Sequence, residues 1–522
     1  DSSAQVLEEI IVTAQKREQN LQDVGISISA FSGQQMQALG VVDSFDIAAF
    51  TPGVHLGGSH AGKNTQFSIR GVTQTDFNDV VEAPTAVYLD DGYIALAQAQ
   101  TFAVFDIARV EILKGPQGTL FGRNATGGLV HYISNKPSFE ETEGYVDLKL
   151  GRFDTPADAD DRQVQAAVST PLSDTVAVRA AINYNDQDAY LENVYPYGTS
   201  AVSGAASAPG AGADMGDDKT IAGRLILAWR ASDCVDVTLS GNYADTDLAT
   251  APYQSKPVIG LYNGVNSGGE LVNVIDVAPD ETRQSIAADG SDNGRDLADL
   301  GFLVDAGPRP VPGGDFFGYI DPDGDDFKTS GDYAFEGNGH TENKDLNGRV
   351  DWEISEGMTL TSITDWKEYE KLMFLDVDAA PVNQLANYAG VDANSFTQEL
   401  RLNGTSDRMR WVAGLYYLNI DIDSLNGLKA PENTILAGPV LDEIFGLPPA
   451  VDIGVDAQLE TDSYSLFGQV EYDLSEQLTL ITGLRAMRED KDYHMPNGFY
   501  VSTSSREVHQ GGYLGGPVAD YS

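Results

Sequence analysis

From about residue 143 to residue 490 the chain repeats one pattern, segments of roughly ten residues in which apolar and polar side chains alternate with a period of two. That period belongs to an extended strand with one greasy and one wet face, so this part of the chain must build sheet. In 175–185 the apolar set is Val176, Val178, Ala180, Ile182 and Tyr184, against Thr175, Arg179, Asn183 and Asn185. In 221–229 Ile221, Leu225, Leu227 and Trp229 oppose Arg224, and in 235–243 Val235, Val237, Leu239 and Tyr243 oppose Asp236, Thr238, Ser240 and Asn242. Further pairs are 347–354 with 358–369, 396–403 with 411–419, and 464–473 with 478–488.

The connections alternate in length. Tight turns such as Leu172-Ser173-Asp174, Ala231-Ser232-Asp233, Ser355-Glu356-Gly357 and Leu474-Ser475-Glu476 are interleaved with long polar connections, the longest from about residue 245 to residue 343. Short turns on one side and long loops on the other describe an outer-membrane barrel. Aromatic residues near strand ends, Tyr184, Trp229, Tyr243, Trp352, Trp366 and Tyr472, suit the two lipid–water boundaries. A soluble β-sandwich or propeller shares the period, but strands of ~10 residues match a tilted crossing of the hydrocarbon layer. No stretch reaches the roughly 20 apolar residues of a spanning helix. A net charge of −47 sets nucleic acid aside as a partner. The single cysteine, Cys234, allows neither an intrachain disulfide nor a thiol-rich metal site.

Three units are expected: an N-terminal segment 1–20, a small α+β domain 21–140, and the strand array 141–522. In the second, Ser32-Gly33-Gln34-Gln35-Met36-Gln37-Ala38-Leu39 reads as a capped helix, and 44–50 as another, stopped by Thr51-Pro52-Gly53. Short β-rich runs follow at 66–71, 86–90 and 110–113. The start, Asp1-Ser2-Ser3-Ala4-Gln5, lacks a basic and apolar leader, as in an exported protein after processing.

Three pieces of this first part carry a family resemblance. Glu8-Glu9-Ile10-Ile11-Val12-Thr13-Ala14 resembles a TonB box; read from residues alone it is equally a first core strand. Phe67-Ser68-Ile69-Arg70-Gly71, with Ala86-Val87-Tyr88-Leu89-Asp90-Asp91-Gly92, is similar to paired plug segments. The run Ile107-Ala108-Arg109-Val110-Glu111-Ile112-Leu113-Lys114-Gly115-Pro116-Gln117-Gly118-Thr119-Leu120-Phe121-Gly122-Arg123-Asn124-Ala125-Thr126-Gly127-Gly128 matches the plug signature without a gap. It is not a phosphate loop, since Arg123-Asn124 stands where Lys and Ser or Thr are required. In the array, Phe396-Thr397-Gln398-Glu399-Leu400-Arg401-Leu402, Tyr464-Ser465-Leu466-Phe467-Gly468-Gln469-Val470 and Thr482-Gly483-Leu484-Arg485 look like strands of the same family. On these residues the chain resembles a TonB-dependent outer-membrane receptor, siderophore-receptor-like, with a plug inside an antiparallel transmembrane β-barrel. One departure is Leu129-Val130-His131-Tyr132-Ile133, where relatives carry a small residue; it still reads as a strand.

The resemblance implies active import of a scarce bulky nutrient, a ferric siderophore or other iron complex, with oligosaccharide, cobalamin or another nutrient as the alternative. A passive porin is the contrasting class and has no plug. A signalling receptor of the family would carry a domain before the box, and only seven residues precede Glu8. The implied partners are TonB with its ExbB–ExbD complex, lipopolysaccharide and a small-molecule substrate. The box would add as a strand to TonB through a free backbone edge. No cofactor is required and no catalytic constellation is visible.

Arg70 and Arg109 are expected to meet Glu399 and Glu471 across a hydrated plug–barrel seam; alternatively Arg70 anchors only its own turn. The loops carrying His55, His60 and Lys63, and Thr73, Asp76 and Asn78, are the candidate apex, or ordinary turns. The run Asp321-Pro322-Asp323-Gly324-Asp325-Asp326, with Asp332, has the carboxylate density of a Ca2+ loop, but its Gly is fourth instead of sixth. A solvated acidic loop beside lipopolysaccharide is the other reading. About eleven strands are expected where the family has twenty-two, leaving strands at 143–151 and 478–490 without neighbours and the chain continuing beyond Ser522.

Overall fold

The computed structural model describes residues 11–17, 19–41, 44–59, 64–74, 76, 78–100, 102–194, 212–250, 260–265, 271–276, 302–305, 327–329, 337–377, 386–430, 451–495 and 497–501. Eleven wall strands form one antiparallel path: β1 (Glu143–Arg152), β2 (Asp160–Ser173), β3 (Val176–Gln187), β4 (Asp218–Ser232), β5 (Val235–Leu248), β6 (Gly339–Ser355), β7 (Met358–Asp376), β8 (Ala386–Ser406), β9 (Met409–Ala430), β10 (Val451–Ser475) and β11 (Leu478–His494). Each pairs with its neighbour in sequence, and β1 and β11 stand at the two ends of the path. The strand Asn497–Val501 continues beside the upper part of β10.

Five two-residue turns lie at one end of the wall, and each is entered through a serine: Ser173, Ser232, Ser355, Ser406 and Ser475. The hydroxyls of Ser173, Ser232 and Ser475 accept from backbone N–H groups two residues on, which closes the turn locally. At four of the five, the register slips by one residue beside that serine. The fourth turn, Ser406-Asp407-Arg408, carries the same Ser-acid signal that marks the others.

The strands are longer than a membrane crossing, and the phase of their alternation explains why. Below the aromatic row Trp366, Phe396, Tyr417 and Tyr464, the outward residues are apolar: Leu360, Leu400, Leu415 and Leu466. The rings of Tyr417 and Tyr464 lie 5.0 Å apart, and those of Phe396 and Tyr417 6.3 Å. Above that row the phase inverts. On β9 Asn419, Asp421 and Asp423 face outward while Leu418, Ile420 and Ile422 are buried inside. Outward carboxylates Glu368, Glu370, Asp392 and Glu460 continue the same level on β7, β8 and β10. The row therefore marks the water boundary, and the paired strands continue past it into solvent.

Residues 28–134 form a plug on the concave side of this wall. Its five-stranded sheet runs Ile28–Ser32, Ile107–Lys114, Gly128–Ser134, Thr85–Leu89, Gly92–Ile94 in spatial order. The helix Gly33–Leu39 is held by a capping box, Ser32 with Gln35, and stopped by Gly40 at φ 75°. The second helix, Ser44–Ala49, also matches the sequence reading. Asp90 and Asp91, both at positive φ, make the tight turn from Leu89 to Gly92.

Gly128 enters its strand at φ 148°, with an ideal Cβ only 2.2 Å from the carbonyl oxygen of Leu113. Gly128→Ala therefore meets backbone and forbidden torsion together, and destabilises the plug by roughly 3 kcal/mol or more. Limited proteolysis between residues 105 and 135 is the readout; wild-type resistance would show that the strand accommodates a side chain.

A dry contact joins plug to wall. Plug residues Tyr88, Tyr93, Leu113, Leu120, Phe121 and Leu129 share one apolar cluster with wall residues Val391, Val412, Leu418, Ile420, Leu459 and Phe467. This corrects the expectation of a seam built from charge pairs across water. The inverted phase of β8 to β10 turns apolar side chains into the lumen, and the plug packs on them.

Candidate functional site

The N-terminal segment enters the turn end of the wall. Ile11–Val12 pairs antiparallel with Gln19–Asn20, and Val12 and Ala14 are buried in the cluster that joins plug to wall. Thr13 donates its N–H to the Glu111 carboxylate at 2.8 and 2.9 Å and its hydroxyl at 3.1 Å. The described half of the expected box is thus docked rather than offering a free edge, because its apolar side chains have a buried seat and its backbone has partners. Glu8, Glu9 and Ile10 lie outside the described residues.

The ion pairs with the wall come from this segment. Lys16 Nζ lies 3.4 Å from Asp91 and 3.4 Å from Glu399, and is stacked 4.6 Å over the ring of Phe121. Arg17 pairs with Glu471, which Arg410 also approaches at 3.4 Å. Arg401 donates to Glu399 at 2.8 Å, and Arg349 to Asp91 at 2.8 Å. These residues border a cavity of about 810 Å3.

Glu399 and Glu471 are therefore wall partners of the plug end, as expected, but the cations that meet them are not Arg70 and Arg109. Arg109 stays within the plug, donating to Glu111 at 2.8 Å, because the two share one strand at i and i+2 and point to the same face. Arg70 is exposed at positive φ after the strand Asn64–Ile69, close to Gly115 and on no wall carboxylate among the described residues. The missed signal was the adjacent pair Lys16-Arg17 directly after the box.

Burial alone would raise the Asp91 carboxyl, yet Lys16, Arg401 and Arg349 hold it well below the usual carboxylate range. The stability it contributes is therefore present above about pH 4 and is lost only as pH falls towards that depressed value. His131 Nε2 accepts the Asp91 N–H at 3.1 Å, and burial pushes the imidazole pKa down, which keeps that nitrogen free to accept.

A second set of contacts lies at the opposite end. Gln74, Asp76 and Asn78 accept in succession from the N–H groups of residues 76, 78 and 80, winding 73–82 into a rigid loop. Asp79, within it, pairs with Lys371 of β7, and both side chains are fully buried. Glu82 meets Arg123 and, at 2.6 Å, Lys491 of β11. Thr73, Asp76 and Asn78 are thus brought together near the long-connection end. His55 is exposed at the base of the hairpin Val54–Ser59 and Asn64–Ile69, its ring folded over Gly57, and is not part of that loop. His60 and Lys63 lie outside the described residues.

Between the two ends a bidentate pair fixes the plug: Arg179 of β3 donates Nε to Asp106 at 2.8 Å, while Arg224 of β4 donates to the Phe105 carbonyl at 3.2 Å. The carboxylates Asp321, Asp323, Asp325 and Asp332 also lie outside the described residues. Among the described ones, Asp245, Asp247 and His340 converge on the outer rim, as do Glu342, Glu368 and Glu370.

Residues 20–129 match the family model described as the TonB-dependent receptor plug domain, and residues 280–510 the model described as the TonB-dependent receptor-like β-barrel. A probable TonB-dependent siderophore receptor, PirA, of Acinetobacter baumannii is 29% identical over 246 residues, 45% of this chain and 31% of that protein. The iron-regulated outer membrane virulence protein of Vibrio cholerae is 27% identical over 183 residues, 33% and 26% of the two chains. Among solved structures, the alcaligin outer-membrane receptor FauA of Bordetella pertussis superposes with a TM-score of 0.52 at 13% identity, covering 95% of this chain and 63% of that one. Pseudomonas aeruginosa FpvA bound to heterologous pyoverdines gives 0.57 at 14%, covering 95% and 57%. The likeness to these structures is one of fold, and the chain spans less than two thirds of the length of each of these four proteins.

Proposed function

The chain belongs to the TonB-dependent receptors, plug and barrel alike, and from that premise we propose that it is an outer-membrane active importer whose cargo is a ferric siderophore or another iron complex. The observation that carries this reading is the threading of the plug along the wall. The box segment sits at the short-turn end, on Glu399 and Glu471, and the 73–82 loop sits at the long-loop end, on Lys371 and Lys491. Cargo captured outside and force applied inside therefore act on opposite ends of one domain.

In this reading TonB, energised by ExbB and ExbD, takes hold of residues 8–14 once they leave their seat. Lys16 and Arg17 hold that segment until then, and each bond they make ends on a wall carboxylate or on Asp91 of the plug. The named functions of the relatives, siderophore and iron-regulated receptors, support iron as the cargo. The outward carboxylates above the aromatic row would face lipopolysaccharide. A porin, by contrast, would leave the concavity open, whereas here the plug packs into it.

The test is uptake of radiolabelled iron complexes by cells that express the whole receptor, with and without TonB. Accumulation that requires TonB, over surface binding that does not, supports the reading; equal accumulation in both strains refutes it.

A further inference from the structure

The dry contact covers only one side of the plug. On the other, β2 to β6 present an unbroken cross-strand row of uncharged hydrogen-bonding side chains: Gln163 opposite Asn185, Asn185 opposite Thr220, Thr220 opposite Thr246, and Thr246 opposite Thr341. The next residue in this row is Lys371, the partner of Asp79 in the plug loop, so the row lies level with the loop. Asn183 and Asn343 continue it one step lower.

These side chains line a space between wall and plug that contains no lysine or arginine and one carboxylate, Asp218. The contrast with the turn-end cavity, lined by Lys16, Arg17, Arg109, Arg230, Arg349 and Arg401, shows that the chain places cations where it wants them. Asn183 is 3% exposed, and its side-chain carbonyl has no donor among the described residues, an acceptor left open in a buried wall. At the same level Lys371 and Lys491 are already bound to plug carboxylates.

Resting on the iron-import reading above, we propose that cargo passes along this β2–β6 face and that it is an uncharged ferric chelate, with iron held by three hydroxamates, rather than an anionic one held by catecholates. Three hydroxamates, each singly charged, neutralise Fe3+ and leave amide and hydroxyl groups outward, which such a row satisfies by donating and accepting. Three doubly charged catecholates leave the complex triply anionic. That ion would meet Asp218 and a chain of net charge −47 with no unpaired cation lining the space to offset its desolvation. The dry side gives no such path, since every step along it would strip water from a polar solute against Leu418, Ile420 and Leu459.

The experiment uses the whole receptor in cells lacking other iron receptors, supplied with iron-labelled ferric trihydroxamate or ferric tricatecholate. The wild type takes up the trihydroxamate in preference. The near-isosteric triple change Thr220→Val, Thr246→Val, Thr341→Val lowers that uptake by about tenfold or more, as loss of three hydrogen bonds would, while the receptor reaches the membrane in normal amount. Asn185→Leu, a single change in the same row, acts in the same direction. Preference for the tricatecholate, or uptake within twofold of wild type in both variants, overturns the proposal and leaves the import reading standing. If neither complex enters energised cells, the iron-import reading itself fails.

Discussion

A receptor lacking residues 8–14 still binds its cargo at the cell surface, and its energised uptake falls to background. The expectation follows from where the segment sits. Val12 and Ala14 fill a seat at the turn end of the wall, and Thr13 is tied to Glu111, while the loop that carries Thr73, Asp76 and Asn78 is anchored separately on β7 and β11. The deletion empties the seat without touching that loop. Binding and uptake of the same labelled complex, measured in one strain at 0 °C and at growth temperature, separate the two effects. Uptake at the wild-type rate would remove the box from the mechanism, and loss of binding as well would make the segment part of the plug's fold.

Breaking the Asp79–Lys371 pair from one side costs the loop about 3–5 kcal/mol, because either change leaves a charge buried without its partner. Lys371→Met alone is therefore expected to speed hydrogen exchange across residues 73–84. The double change Asp79→Leu with Lys371→Met restores most of the protection, since two apolar side chains of similar length can occupy the same fully buried space. A double-mutant cycle read by exchange checks this. Equal protection in all four proteins would mean that water reaches the pair.

The wall was legible in the sequence because its signal is periodic and repeated. The strand pairs, the serine turns and the aromatic rows all follow from residue spacing, as do the two plug helices. What stayed hidden is the phase. Leu418-Asn419-Ile420-Asp421-Ile422-Asp423 alternates as regularly as any segment, and nothing local says that its apolar face points inward. Only the position of Tyr417 in the aromatic row fixes that. The dry weld between plug and wall followed from this and was missed for the same reason.

The site was legible at one partner of each pair. Glu399 and Glu471 are turned inward by strand parity, which the sequence supplies, but their cations come from more than 380 and 450 residues away and are fixed by chain path alone. Arg109 was the natural choice by charge; Glu111, two residues on along the same strand face, is nearer than any wall residue could be. Thr73, Asp76 and Asn78 were grouped by sequence proximity and remain together. His55 was grouped with His60 and Lys63 on the same ground, but lies at the other end of its strand from the hairpin tip.

The docked N-terminal segment has a consequence for what happens after a transport event. Val12 and Ala14 leave an apolar seat when the segment is drawn out, and exposing Val12 alone costs about 2 kcal/mol. Nothing covalent changes during that stroke, and the ionic partners of Lys16 and Arg17 stay fixed in the wall. When tension ends, the same burial that resisted the pull draws the segment home. The device is thus a self-closing one: the energy source has to drive the outward stroke only, and the duration of the open state is set by how fast a short chain finds its seat again.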